Sequence, residues 1–282
     1  MTLFLERKEK NMRKIRKDLR MMPDKHRKRT LVLASMLLST SLLTACGGVT
    51  EEMLETRESA IARMENGDYE GAVAAFNGLV EEATKVTEFE LDILKYRAEA
   101  EFLLGDYGAA VHTYQTLIQV DEDAVHPEYY YFSAVALAKD GQTAEALEFL
   151  NAGKEFDKEM SAAGFVEAMT ALAEGYGESD QRDLAREMYQ ELIDGGHGST
   201  EIYNHLMMMA MDEGDYEEAL KIAAKGLILT DGLAVQKLRF NEAVCYEFMG
   251  DFTKALELFR AYAAEYGSDE RVDHEIAFLE TR

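Results

Sequence analysis

A six-residue phrase, Gly-Asp-aromatic-x-x-Ala, returns at near-constant intervals and leaves this chain few folds to choose from. It reads Gly67-Asp68-Tyr69-Glu70-Gly71-Ala72, Gly105-Asp106-Tyr107-Gly108-Ala109-Ala110, Gly214-Asp215-Tyr216-Glu217-Glu218-Ala219 and Gly250-Asp251-Phe252-Thr253-Lys254-Ala255. Two weaker copies end at Ala146 and Ala185, so the six closing alanines are spaced 38, 36, 39, 34 and 36 residues apart. A period of this size marks stacked supersecondary units, each burying its apolar face against the next. The phrase describes a tight turn between antiparallel helices. Glycine adopts the positive φ that ends the first helix, and Asp caps the second. The aromatic ring packs across the turn, and the small Ala lets the helices approach closely.

Two further positions keep the same register. Twelve residues before each closing Ala stand Ala60, Ala98, Ala134, Ala173, Met207 and Ala243. Four residues after it stand Phe76, Tyr114, Leu150, Tyr189, Ala223 and Phe259, an apolar stripe at helical spacing. Composition agrees. Only Pro23 and Pro127 interrupt 282 residues, and Pro127 sits where a helix start tolerates it. The chain is therefore expected to be all-α. Hydrophobic residues make up 47%, enough for a real core, and two cysteines cannot build a disulfide framework.

The formal charge of −24 disfavours nucleic acid as a partner, since phosphate selects basic surfaces. That total hides an asymmetry. Residues 1–45 hold twelve Lys or Arg against four acids, a net +8, so residues 46–282 carry −32. The basic stretch closes in Arg27-Lys28-Arg29 and is followed by an apolar run, Leu31 to Leu43, too short to span a bilayer. A basic region, a short apolar region and small residues form an export signal. The run ends Leu43-Thr44-Ala45-Cys46-Gly47, which resembles the lipobox of bacterial lipoproteins. The resemblance implies cleavage before Cys46 and acylation of its thiol, hence lipid anchoring outside the cytoplasm at the cell membrane. More than one acyl chain makes such an anchor durable.

The repeat phrase and its register resemble the tetratricopeptide repeat, over about residues 51–267. The resemblance implies a right-handed superhelical solenoid of antiparallel helix pairs, with about six repeats. The expected organisation is a signal peptide at 1–45, a repeat array at 46–267 and a C-terminal capping helix at 268–282, with Ser268 as its N-cap. The chain departs from the family in lacking the repeat-end proline, in placing Gly153 on a second helix and in lacking a turn glycine in the fourth copy. In the family's register Lys95, Glu99, Phe102, Tyr131, Asn204, Met208, Met211 and Phe240 face the groove and are the candidates for partner binding. Tyr130 and Phe132 are expected to pack between helices, and Met207 to be core.

No catalytic set emerges. The histidines do not pair at metal spacing, and His-Glu-x-x-His and Gly-x-Ser-x-Gly are absent. Gly195 to Thr200 reads as a turn, with Ser199 or Thr200 capping the next helix, and Cys245 as a buried thiol. The expectation is a noncatalytic scaffold without cofactor or metal. It would bind a protein or peptide of the cell envelope, one with basic and aromatic features suiting an acidic groove. The alternative is a lipoprotein that holds a small solute or glycan there.

Overall fold

The computed structural model describes residues 49–81, 83, 85–121, 125–179, 181–229, 232 and 234–282. The basic segment, the apolar run and Cys46 lie outside the described residues. The described residues form thirteen helices and no strand: α1 Glu51–Glu65, α2 Tyr69–Glu81, α3 Glu88–Leu104, α4 Tyr107–Val120, α5 Pro127–Lys139, α6 Thr143–Phe156, α7 Phe165–Gly177, α8 Arg182–Asp194, α9 Thr200–Asp212, α10 Tyr216–Gly226, α11 Val235–Phe248, α12 Phe252–Tyr266 and α13 Glu270–Leu279. The chain divides into two compact units, residues 1–168 and 169–282, with the division inside α7.

The turn chemistry is as the repeated phrase requires. Gly67, Gly105, Gly141, Gly214 and Gly250 all have φ between 78° and 88°, a region open to glycine without a Cβ clash. Asp106, Asp215 and Asp251 are the N-caps of α4, α10 and α12, accepting from the backbone N–H groups of Ala109, Glu218 and Lys254 at 3.0–3.1 Å. All twelve register positions, the six closing alanines and their six partners, are wholly buried. Pro127 opens α5, and Ser199 caps α9 by accepting from Ile202 N–H at 3.3 Å. Thr200 instead turns inward, its hydroxyl accepting from Ala234 N–H at 2.9 Å.

In the first unit each helix from α1 to α5 packs on its successor. Its core centres on Phe76, Phe89, Ile93 and Tyr96, with the Phe76 and Tyr96 rings stacked 6.0 Å apart. Burying a side chain as large as Phe76 contributes about 1.5–3 kcal/mol. A polar knot ties α3 to α4. Thr113 donates to Glu101 at 2.6 Å and accepts from Arg97 at 2.7 Å, and Arg97 pairs with Glu101 at 3.2 Å. Buried charge is tolerated there because every partner is matched.

Gly153, the departure noted on α6, has a steric reason. A Cβ there would stand 2.5 Å from Tyr131 Cε1. Removing the side chain opens a slot on α6 for the ring. Tyr131 is wholly buried in it, its hydroxyl bonded to Asp157 at 3.3 Å and its ring edge-on to Phe165 at 5.5 Å. Gly226 repeats the device in the second unit, where a Cβ would stand 2.7 Å from Tyr203 Cβ.

In the second unit α9 packs on α10, α10 on α11, α11 on α12 and α12 on α13. Phe259 is the wholly buried centre of the last pair, and Leu279 of α13 closes over it. One expectation is corrected. The cap of α13 is Asp269, accepting from Val272 N–H at 2.9 Å, and the helix runs 270–279 rather than from Ser268. Gly267, at φ 88°, redirects the chain so that Ser268 precedes the cap and bonds Asp273 with its hydroxyl.

Candidate functional site

Of the residues expected to face a partner, the first unit carries Lys95, Glu99, Phe102 and Tyr131, and the second carries Asn204, Met208, Met211 and Phe240. Lys95 is half-buried, its ammonium 5.6 Å above the Tyr129 ring. Phe102 is half-buried and tilted against Tyr107 at 5.3 Å. Met208 is 49% exposed, and Met211 is half-buried one turn further along α9. Phe240 is half-buried beneath the Arg271 guanidinium at 4.1 Å, with its ring edge-on to Phe259 and Tyr262.

Three candidates are corrected. Tyr131 lies in the Gly153 slot and not on an open face, while its neighbour Tyr130, expected inside, is partly exposed between Phe149 and Phe156. Asn204 is buried because it bridges α9 and α11. Its carboxamide oxygen accepts from Asn241 at 3.1 Å, and its nitrogen donates to Met208 Sδ at 3.5 Å. Glu99 is wholly buried, and neither carboxylate oxygen has a hydrogen-bond partner among the described residues. Desolvation pushes its carboxyl up to about 8, so it is mostly neutral near pH 7. Its charge, when formed, acts on Tyr96 of its own helix and on the wholly buried Tyr114 of α4.

Other acids of the expected groove are already engaged. Asp92 pairs with Arg57 at 2.6 Å, the Arg57 guanidinium lying 5.1 Å from the Tyr96 ring centre. Glu128 meets His126 at 3.0 Å, and Glu174 meets His205 at 3.5 Å. Glu247 is raised by desolvation and by a carboxyl–carboxyl contact with Glu275. Cys245 is buried, and burial lifts its thiol to about 12, as its apolar helix position implied. Among the described residues no three His, Cys, Asp or Glu side chains converge as metal ligands, and no helix is long and apolar enough to cross a membrane. Sequence reasoning passed over Phe248 and Met249, which are strongly exposed. A partial signal was available, since the residue pair before the turn glycine is polar in three hairpins and apolar before Gly105 and Gly250.

Comparison with known proteins places these elements. Residues 238–268 match the tetratricopeptide repeat, and residues 39–161 match the bacterial transcriptional activator domain. No curated protein matches the chain. Among solved structures, the C-terminal part of a tetratricopeptide repeat-containing protein from Cytophaga hutchinsonii is similar at 17% identity and a TM-score of 0.60, over 79% of this chain and 87% of that one. PilW, described as a widely conserved type IV pilus biogenesis factor, is similar at 14% identity and a TM-score of 0.57, over 82% of this chain and 100% of that one. A tetratricopeptide repeat protein from Parabacteroides merdae is similar at 14% identity and a TM-score of 0.53, over 89% and 91%. Residues 238–268 thus match the tetratricopeptide repeat itself, and the period of the sequence, the twelve buried register positions and these solved structures give the described residues the tetratricopeptide-repeat fold of stacked helix pairs.

Proposed function

We propose that the protein is a noncatalytic docking scaffold of the cell envelope, anchored at the cell membrane outside the cytoplasm by a lipid on Cys46. The observation that carries the docking half is the division of labour within the helical pairs. Register alanines and large rings are consumed by packing, while Met208, Met211, Lys95 and Phe102 keep part of their surface outward. Methionine adapts its shape to varied partners. The tetratricopeptide-repeat fold, shared with a pilus biogenesis factor, supports a protein partner. The anchoring half rests on the order of residues 1–47: basic arm, apolar run, Leu43-Thr44-Ala45-Cys46.

Two experiments test the halves separately. Cys46→Ala is expected to leave the precursor unprocessed and to move the protein out of the lipid-modified membrane fraction. Normal processing and an unchanged membrane fraction would overturn the anchor. A photocrosslinker at Met208 is expected to capture a discrete protein in the native envelope, displaced by excess of the unlabelled scaffold. Equal capture from an exposed position such as Glu58 would count against a specific docking face.

A further inference from the structure

The residue pair before a turn glycine ends the first helix of each hairpin and projects at its edge. In three hairpins that pair is polar: Glu65-Asn66 before Gly67, Lys139-Asp140 before Gly141, Asp212-Glu213 before Gly214. Before Gly250 it is Phe248-Met249, exposed by 66% and 41%. Before Gly105 it is Leu103-Leu104, of which Leu103 turns inward. Phe248 is held in place: its ring stacks on Tyr216 at 5.2 Å and 13°. An ordered aromatic platform beside an adaptable methionine, at a position that is polar in three of the four sister hairpins, is the profile of an interface anchor rather than of stray surface.

The surroundings select the occupant. Asp215 and Glu217 flank Tyr216 in the chain, Asp251 follows Gly250, and all three are exposed. Two acids of the neighbouring turn already hold guanidinium groups: Asp212 takes Arg182 at 3.5 Å and Glu213 takes Arg186 at 2.6 Å. Nearby lysines are committed within their own helices, Lys221 to Glu218 at 3.0 Å and Lys254 to Glu257 at 2.9 Å. Residues 46–282 carry −32 in all. An apolar centre in an acidic frame complements an apolar anchor flanked by cations.

We propose that the hairpin-turn edge of the second unit, built on Tyr216, Phe248 and Met249, docks a basic amphipathic segment of a partner protein. An apolar side chain rests on the Phe248–Met249 platform, and Lys or Arg side chains reach Asp215, Glu217 and Asp251. This deepens the scaffold reading and rests on it, adding a contact built on residues other than Met208.

The test uses the full chain and two synthetic amphipathic peptides, one of Lys and Leu, the other of Glu and Leu. The Lys/Leu peptide is expected to bind saturably, more weakly as salt rises. Phe248→Ser with Met249→Ser is expected to weaken it about tenfold or more, with an unchanged helical spectrum because both side chains are exposed. The Glu/Leu peptide is expected not to bind. Equal affinity of the double variant, or no saturable binding to the wild-type chain, overturns the proposal. Loss of binding on Met208→Ser alone also overturns it, and leaves the scaffold reading standing with its site on α9. Loss of self-association in the double variant, without effect on the peptide, would identify a second copy as the occupant and overturn it too.

Discussion

Gly153→Ala is expected to destabilise the first unit by about 1–3 kcal/mol, the usual range for forcing a methyl into a filled core. The new Cβ would lie 2.5 Å from Tyr131 Cε1 and 2.9 Å from Cδ1. The ring cannot yield easily, since Asp157 holds its hydroxyl and Phe165 backs its edge. Alanine's better helix propensity offsets at most about 1 kcal/mol of that. Gly78→Ala on α2 is the control. Nothing lies within 4 Å of its added Cβ, so propensity acts alone and stability rises by about 0.5–1 kcal/mol. Urea titrations followed by circular dichroism read both. A neutral or stabilising Gly153→Ala would show that the Tyr131 slot has room to relax.

The second large effect is a pH dependence carried by Glu99. Its carboxyl moves from 4.5 in the open chain to about 8 in the fold. The folded state therefore binds the proton more tightly, and between these values it holds more protons than the unfolded chain. Stability from this group is fullest below pH 4.5 and is lost as pH rises toward 8, with a slope approaching 1.4 kcal/mol per unit. Glu99→Gln removes the titration. The stability difference, variant minus wild type, is expected to climb from pH 5 to pH 8 and to level off above it. Parallel curves for the two proteins would show that Glu99 ionises normally and is hydrated. Comparison with the variant isolates Glu99, because every other group is common to the two proteins.

How much of this was legible beforehand differs by level. The helical pairs, their turns and their close contacts were written in Gly-Asp-aromatic-x-x-Ala and in the alanine twelve residues upstream. The closing alanine recurs in all six copies, its upstream partner is alanine in five, and Gly-Asp-aromatic stands in four, because the backbone geometry that favours them is local. The candidate face was less legible. Lys95, Phe102, Met208, Met211 and Phe240 keep part of their surface outward, whereas Glu99, Tyr131 and Asn204 do not. Successive residues on a helix point about 100° apart. A modest rotation of α5 thus exchanges the exposure of Tyr130 and Tyr131. That rotation is set by the slot at Gly153, 22 residues away on another helix.

The sequence by itself determined the repeat period, the all-helical class, the acidic body and the order of basic arm, apolar run and cysteine at its start. Each of these is a matter of local backbone preference, composition or spacing. Tertiary structure alone decided that Gly153 and Gly226 are slots rather than breaks. It also decided that Glu99 is a buried neutral acid and that Asp269 rather than Ser268 caps the final helix. Packing decided that Phe248 stays outside the core whereas Leu103, at the equivalent position before Gly105, turns inward. These depend on which neighbouring surface removes water from a side chain. No window of sequence specifies that surface, because the neighbour belongs to a different helix.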